Sequence, residues 1–175
     1  MRRLLPTLAL SGFLLAGLPA TISLADSLPG FTLFSGVKGE NQLPFRLDYG
    51  GQPDGWDRYR LKINRKKLST AVEHFIIQYP NYYNGSFDTK NIELRVKDKK
   101  VPLSQSAPVK WDKENHVIEI YPQDPIPAGS NVDIVLSNVK NPATGGVYYF
   151  NCSTQSPGDV QLSRYIGTWI ISISH

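Results

Sequence analysis

The chain has 175 residues, with 19 Lys and Arg against 15 Asp and Glu, a net charge of +4 and a pI near 9.1. That length suits one domain with its own core, since about 150 residues bury roughly 68–70% of the surface that the unfolded chain exposes. One cysteine excludes an internal disulfide framework and a cysteine-built zinc site, and 41% hydrophobic with 19% charged residues excludes a disordered or broadly membrane-embedded chain.

Residues 1–25 read as a secretory signal. Arg2 and Arg3 form a basic start, and Leu4 to Leu18 is a mostly apolar run broken by Pro6, Thr7, Ser11 and Gly12. The run is short of the ~20 residues a spanning helix needs, and Ser23-Leu24-Ala25 sets small residues where a signal peptidase reads. Cleavage after Ala25 removes two arginines and no acid, so the charge falls from +4 to +2. No cysteine follows the run for lipid attachment, and no transmembrane segment remains after cleavage. An exported chain meets no intracellular nucleic acid. Residues 26–175 are expected to form a single domain.

Past the signal the pattern has a period of two. Asp48, Asp54 and Asp57 fall in a Gly-rich loop, where hard oxygen donors suit calcium; the spacing is not that of an EF-hand, and Asx turns use the same residues. Tyr59 to Ile63 then alternates, with Arg58, Arg60 and Lys62 on one face about 6.5–7 Å apart at a rise of ~3.3 Å per residue. The basic stretch continues through Arg65, Lys66 and Lys67 without an acid. Such a row suits an anionic envelope polymer or a phospholipid surface, and equally a solvated outer face or a guarded edge strand. Arg65 to Val72 is the one stretch where a helical turn or two is predicted.

His74 opens the next strand, Phe75 to Tyr79, which is apolar on both faces and so central or overlaid. In the loop Tyr79-Pro80-Asn81-Tyr82-Tyr83-Asn84-Gly85, Tyr82 and Tyr83 beside asparagines suit a glycan or a partner protein, or else pack under the loop. Ile92 to Lys97 alternates cleanly, and Lys97, Lys99 and Lys100 join the basic field if that strand lies beside Tyr59–Ile63. His116 follows near Glu114. Pro122 to Gly129 is expected to cross between sheets. Val132 to Leu136 alternates except at Val135, and Asn141 to Gly146 is expected to make a hairpin-type connection to Val147–Phe150. Cys152 is expected in the core, with an intermolecular disulfide as the other reading. Trp169 to Ile173 is the last strand.

Several of these segments together resemble a known family. Tyr59-x-Leu61-x-Ile63, Leu68-x-x-Ala71-Val72, Phe75-x-Ile77-x-Tyr79-Pro80 and Phe87-Asp88-Thr89-x-x-Ile92-Glu93-Leu94-Arg95-Val96 occur in that order. Asn141-Pro142…Gly146-x-Tyr148-x-Phe150 and Tyr165-Ile166-Gly167-Thr168-Trp169 follow. The chain is similar in these to the domain-of-unknown-function 2808 family from about Leu43 onward. The resemblance implies an exported cyanobacterial protein of one domain after its signal peptide, and brings no activity, cofactor or catalytic residue.

Seven to nine strands with at most one short helix predict an all-β, immunoglobulin-like antiparallel sandwich. No Gly-x-Ser-x-Gly elbow, His-Glu-x-x-His or glycine-rich phosphate loop occurs. His74, His116 and His175 are too few and scattered for a copper or zinc site read from spacing, and no cofactor is implied. The best reading is a non-catalytic periplasmic or cell-envelope binding or structural module, with an anionic envelope polymer, a glycan or another envelope protein as partner. The rival is a hydrolase or metal-dependent enzyme with a dispersed site around His74, His116 and the Asp48–Asp57 loop. A deep pocket holding a histidine and a carboxylate favours the rival.

Overall fold

Alternating apolar and polar residues give each strand one face for the core and one for water. In β2 (Trp56–Ile63), Tyr59, Leu61 and Ile63 are buried while Arg58, Arg60 and Lys62 point the other way. The computed structural model describes residues 36–158 and 163–174; the expected signal, residues 1–25, lies outside them. In chain order the other strands are β1 (Phe45–Leu47), β3 (His74–Gln78), β4 (Ile92–Val96), β5 (Lys99–Val101), β6 (Val109–Asp112) and β7 (Val117–Ile120). The last three are β8 (Val132–Lys140), β9 (Gly146–Gln155) and β10 (Ser163–Ile173).

They form two antiparallel five-stranded sheets, β1-β2-β8-β4-β5 and β10-β9-β3-β7-β6. The antiparallel all-β sandwich expected from the sequence is the fold the chain adopts. Among the described residues there are ten strands against the seven to nine expected, because β1 and β5 are three residues each, too short to show a period. No α-helix occurs among the described residues. Among the described residues there are three 3-10 turns, Gly39–Asn41, Arg65–Lys67 and Thr89–Asn91, the second inside the stretch Arg65 to Val72 where a helical turn is expected. Side chains start two of them, Asn64 accepting from Lys66 N–H and Asp88 from Lys90 N–H.

The loop Asn141–Gly146 is a correction. It does not close a hairpin, because β8 is central in one sheet, between β2 and β4, and β9 is central in the other, between β10 and β3. The connection therefore crosses the core, as the loop from Pro122 to Gly129 does between β7 and β8. What lies between the sheets is a continuous apolar filling in which Phe150 meets Tyr59, Tyr79, Tyr83 and Phe87 at ring separations of 5.1–6.4 Å. Trp169 on β10 is fully buried and its indole donates to Lys62 O on β2 at 3.1 Å, tying the sheets together. The outer edge of β10 is partly covered: Leu43 N–H donates to Thr168 O at 2.9 Å, and Ser174 N–H to Gly51 O at 3.0 Å.

Candidate functional site

The outer face of the β1-β2-β8-β4-β5 sheet is built by register. Arg46 stands opposite Arg60, Lys62 opposite Asp133, Asp133 opposite Arg95, and Arg95 opposite Lys100. Directly opposed residues share a face in an antiparallel sheet. The strand carrying Lys100 is not beside β2, as the sequence left open: β8 and β4 intervene, at about 4.8 Å per strand. Its lysine joins the field at the sheet's far edge. Val135 lies on this outer face and is still buried, since it is flanked by Arg60 and Glu93, whose stems cover it.

Asp48 organises the basic row. Its carboxylate accepts from Arg46 Nε at 2.8 Å and from Arg60 Nε at 2.9 and 3.0 Å, with Arg58 Nη1 at 3.8 Å. Burial disfavours the charge, but the hydrogen bonds and charges of Arg60 and Arg46 outweigh it and hold the carboxyl below the usual carboxylate value. On β4, Glu93 accepts from Arg95 at 2.8 Å and from Lys100 at 3.1 Å, and is held low by these two bases in turn. Arg65 and Lys66 are exposed on their 3-10 turn. Lys67 reaches Glu40 O, while its own carbonyl accepts from Arg164 at 2.6 Å.

The three aspartates expected to hold calcium do not converge. Asp48 belongs to the arginines. Asp57 is buried and accepts from the backbone N–H groups of Tyr49, Gly51 and Arg58 at 3.0, 2.8 and 2.6 Å. It thereby fixes a loop in which Gly51, at φ +67, passes so close to Leu47 that a Cβ would sit 2.7 Å from Leu47 Cδ1. Asp54 pairs with Lys140 at 2.9 Å. Among the described residues no three His, Cys, Asp or Glu side chains form a metal-holding group.

The two tyrosines separate. Tyr82 is 53% exposed, beside Tyr148 at 5.6 Å. Tyr83 is a correction: it is buried, stacked on Phe87 at 5.4 Å, and its hydroxyl lies 3.2 Å from that of Tyr59, which donates to Asn141 Oδ1 at 2.6 Å. Burial pushes both phenols well above the ordinary value, so they stay protonated. Tyr83 thus offers nothing to a ligand. Cys152 is fully buried, and burial likewise pushes its thiol up, which removes it from disulfide exchange while folded.

The rival's parts are scattered too. His74 and His116 flank opposite ends of β7, because Phe75 pairs with Ile120 and Gln78 with Val117. His116 sits in the β6–β7 turn, edge-on to Tyr79 at 5.4 Å. His74 does line a cavity of about 440 Å³ with Glu73, Ser104, Glu119, Tyr121 and Gln155. No nucleophile–histidine–carboxylate relay forms there: Nδ1 is 2.9 Å from the neutral amide of Gln155, Glu119 lies on the Nε2 side, and Ser104 pairs with Ser106.

Sequence reading missed one groove. Trp56, 64% exposed, and Trp111 flank an open groove of about 700 Å³ with Asp88, Lys90 and Asn138. Only the two isolated tryptophans signalled it, and nothing in their spacing joins them.

The fold has relatives of low identity. BslA, a bacterial hydrophobin, is 10% identical, with 80% of this chain covering 97% of that one at a TM-score of 0.50. The collagen-binding domain from a Staphylococcus aureus adhesin is 13% identical, with 76% and 97% covered at 0.42. An uncharacterized protein from Nocardia farcinica with an immunoglobulin-like fold is 10% identical, with 77% and 99% covered at 0.40. No curated protein matches the chain. No helix among the described residues is long and apolar enough to cross a membrane. A match over residues 31–173, which takes in every described strand, places the chain in the family described as "Protein of unknown function (DUF2808)", and it belongs to that family.

Proposed function

We propose that the chain is an exported, non-catalytic envelope module that holds an anionic envelope polymer through Arg58, Arg60, Lys62, Arg65, Lys66 and Lys67. The observation that carries this is the imbalance on one sheet face. Arg46, Arg58, Arg60, Lys62, Arg95 and Lys100 stand there against Asp48, Asp133 and Glu93. Asp48 holds Arg46 and Arg60 by hydrogen bonds, and Arg58 is tied to Ser137 Oγ at 3.2 Å, so the row is presented in a set geometry at the cost of one charge, and Arg fits anionic oxygens in pairs. The test uses the bases outside the Asp48 cluster. The unaltered chain is expected to be retained on phosphocellulose in a salt-sensitive way, and a Lys62→Glu, Arg65→Glu, Lys66→Glu variant to lose that retention with an unchanged circular dichroism spectrum. Equal retention of the two proteins overturns the reading.

A neutral glycan is the second reading, favoured by the groove that Trp56, Trp111 and Asn138 line, since indoles and an amide suit a sugar's apolar face and hydroxyls. Its measure is the intrinsic fluorescence of Trp56, compared with Trp56→Ala, on adding cell-wall glycan.

A further inference from the structure

His74 is 95% buried on the outer side of the β10-β9-β3-β7-β6 sheet, on the wall of the cavity of about 440 Å³, and its Nε2 has no hydrogen-bond partner. A buried polar atom left without a partner is costly. The ring orientation is set by stacking on Tyr121 at 4.1 Å and 15° and by the contact of Nδ1 with Gln155 Oε1 at 2.9 Å, where the amide oxygen accepts. In the neutral ring, Nε2 then turns a lone pair toward Glu119 Oε1, 3.8 Å away. Two acceptors face each other across a gap.

We propose that this gap is a site for a borderline divalent cation of the zinc class, bound by His74 Nε2 and a carboxylate oxygen of Glu119. Two donors each about 2.1 Å from such an ion lie about 3.4 Å apart at a tetrahedral angle and about 4.2 Å apart at most. The observed 3.8 Å falls between. An imidazole nitrogen in the set favours Zn²⁺, Co²⁺, Ni²⁺ or Cu²⁺ over Ca²⁺ or Mg²⁺. Both ligands also have the outer partners that metal ligands carry. Gln155 holds the far nitrogen of His74, and Tyr121 O–H donates to the other oxygen of Glu119 at 3.0 Å. The remaining coordination positions face the cavity, where Glu73 and Gln123 also lie. Neither ligand's neighbour in sequence reveals this: β3 and β7 bring them together diagonally, as Glu119 pairs with Ile76.

The test is calorimetric titration of the untagged full chain with Zn²⁺, alongside His74→Asn, Glu119→Gln and Gln155→Leu, each first melted in chelator to confirm that it folds. One Zn²⁺ per chain is expected, with binding lost in His74→Asn and Glu119→Gln and weakened about 10–100-fold in Gln155→Leu. In NMR spectra of the imidazole nitrogens, Zn²⁺ is expected to shift Nε2 of His74. The proposal is overturned if the chain binds no stoichiometric Zn²⁺, if the folded variants bind as tightly as the parent, or if the shifted nitrogen belongs to His116 or His175. The NMR measurement on the unaltered chain decides the matter even where a variant fails to fold.

Discussion

Asp48 shows how one side chain sets the character of a surface. It is 7% exposed at the side chain, lies within reach of three guanidinium groups, and is charged because of them. Replacing it by Asn leaves Arg46, Arg58 and Arg60 facing one another. We expect Asp48→Asn to cost about 1–3 kcal/mol at neutral pH in urea denaturation, the usual penalty for charged groups losing a partner. The sign of its pH dependence follows from a carboxyl held below its unfolded value: the contribution is present above about pH 4 and fades as pH falls through the lower folded value. The variant's stability should accordingly fall less steeply than the parent's below about pH 4. Equal slopes would discard the link. Alternation in β2 made the outward bases legible. Their partner was not, since Asp48 follows a strand of three residues whose register the sequence does not announce.

At the scale of elements, the loop from Asn141 to Gly146 is the instructive one. Its Pro and paired Gly read as turn chemistry, which is right locally, yet turn chemistry does not say whether the chain returns to its own sheet or enters the facing one. Asn141 decides it through the interior. Its Oδ1 accepts from Tyr59 O–H at 2.6 Å and its Nδ2 donates to Gln52 O at 2.9 Å, so the loop is fastened to β2 and to the Gly-rich loop before it. Asn141→Ala leaves the buried Tyr59 hydroxyl without its acceptor and is expected to cost about 1–3 kcal/mol. An unshifted denaturation midpoint would show that the fastening contributes nothing. Which of Tyr82 and Tyr83 packs under the loop was not legible for a related reason: adjacent tyrosines on a turn point to opposite sides, and only the partners of Tyr83 in β9 determine which one is swallowed.

For the molecule as a whole, the aromatic cluster around Phe150 is the common floor of both sheets. Truncating it to Ala should cost about 3–5 kcal/mol, the range for large aromatic side chains in cores, and should broaden near-ultraviolet circular dichroism signals of the surrounding tyrosines. A loss below about 1 kcal/mol would mean the sheets meet chiefly elsewhere. Fold class was readable because burying one face leaves a period-two trace in every long strand; sheet order was not, because it depends on pairings between residues far apart in the chain. The covered edge of β10 draws those distances together. The segment at Leu43 and the strand at Thr168 seal one border, so the start and the finish of the described chain are neighbours. A chain still emerging from the ribosome lacks that last strand, and with it the indole that joins the sheets. The sandwich closes like a clasp with its pin at the end, so a product that stops before Trp169 is expected to stay open, with its aromatic interior available to proteases.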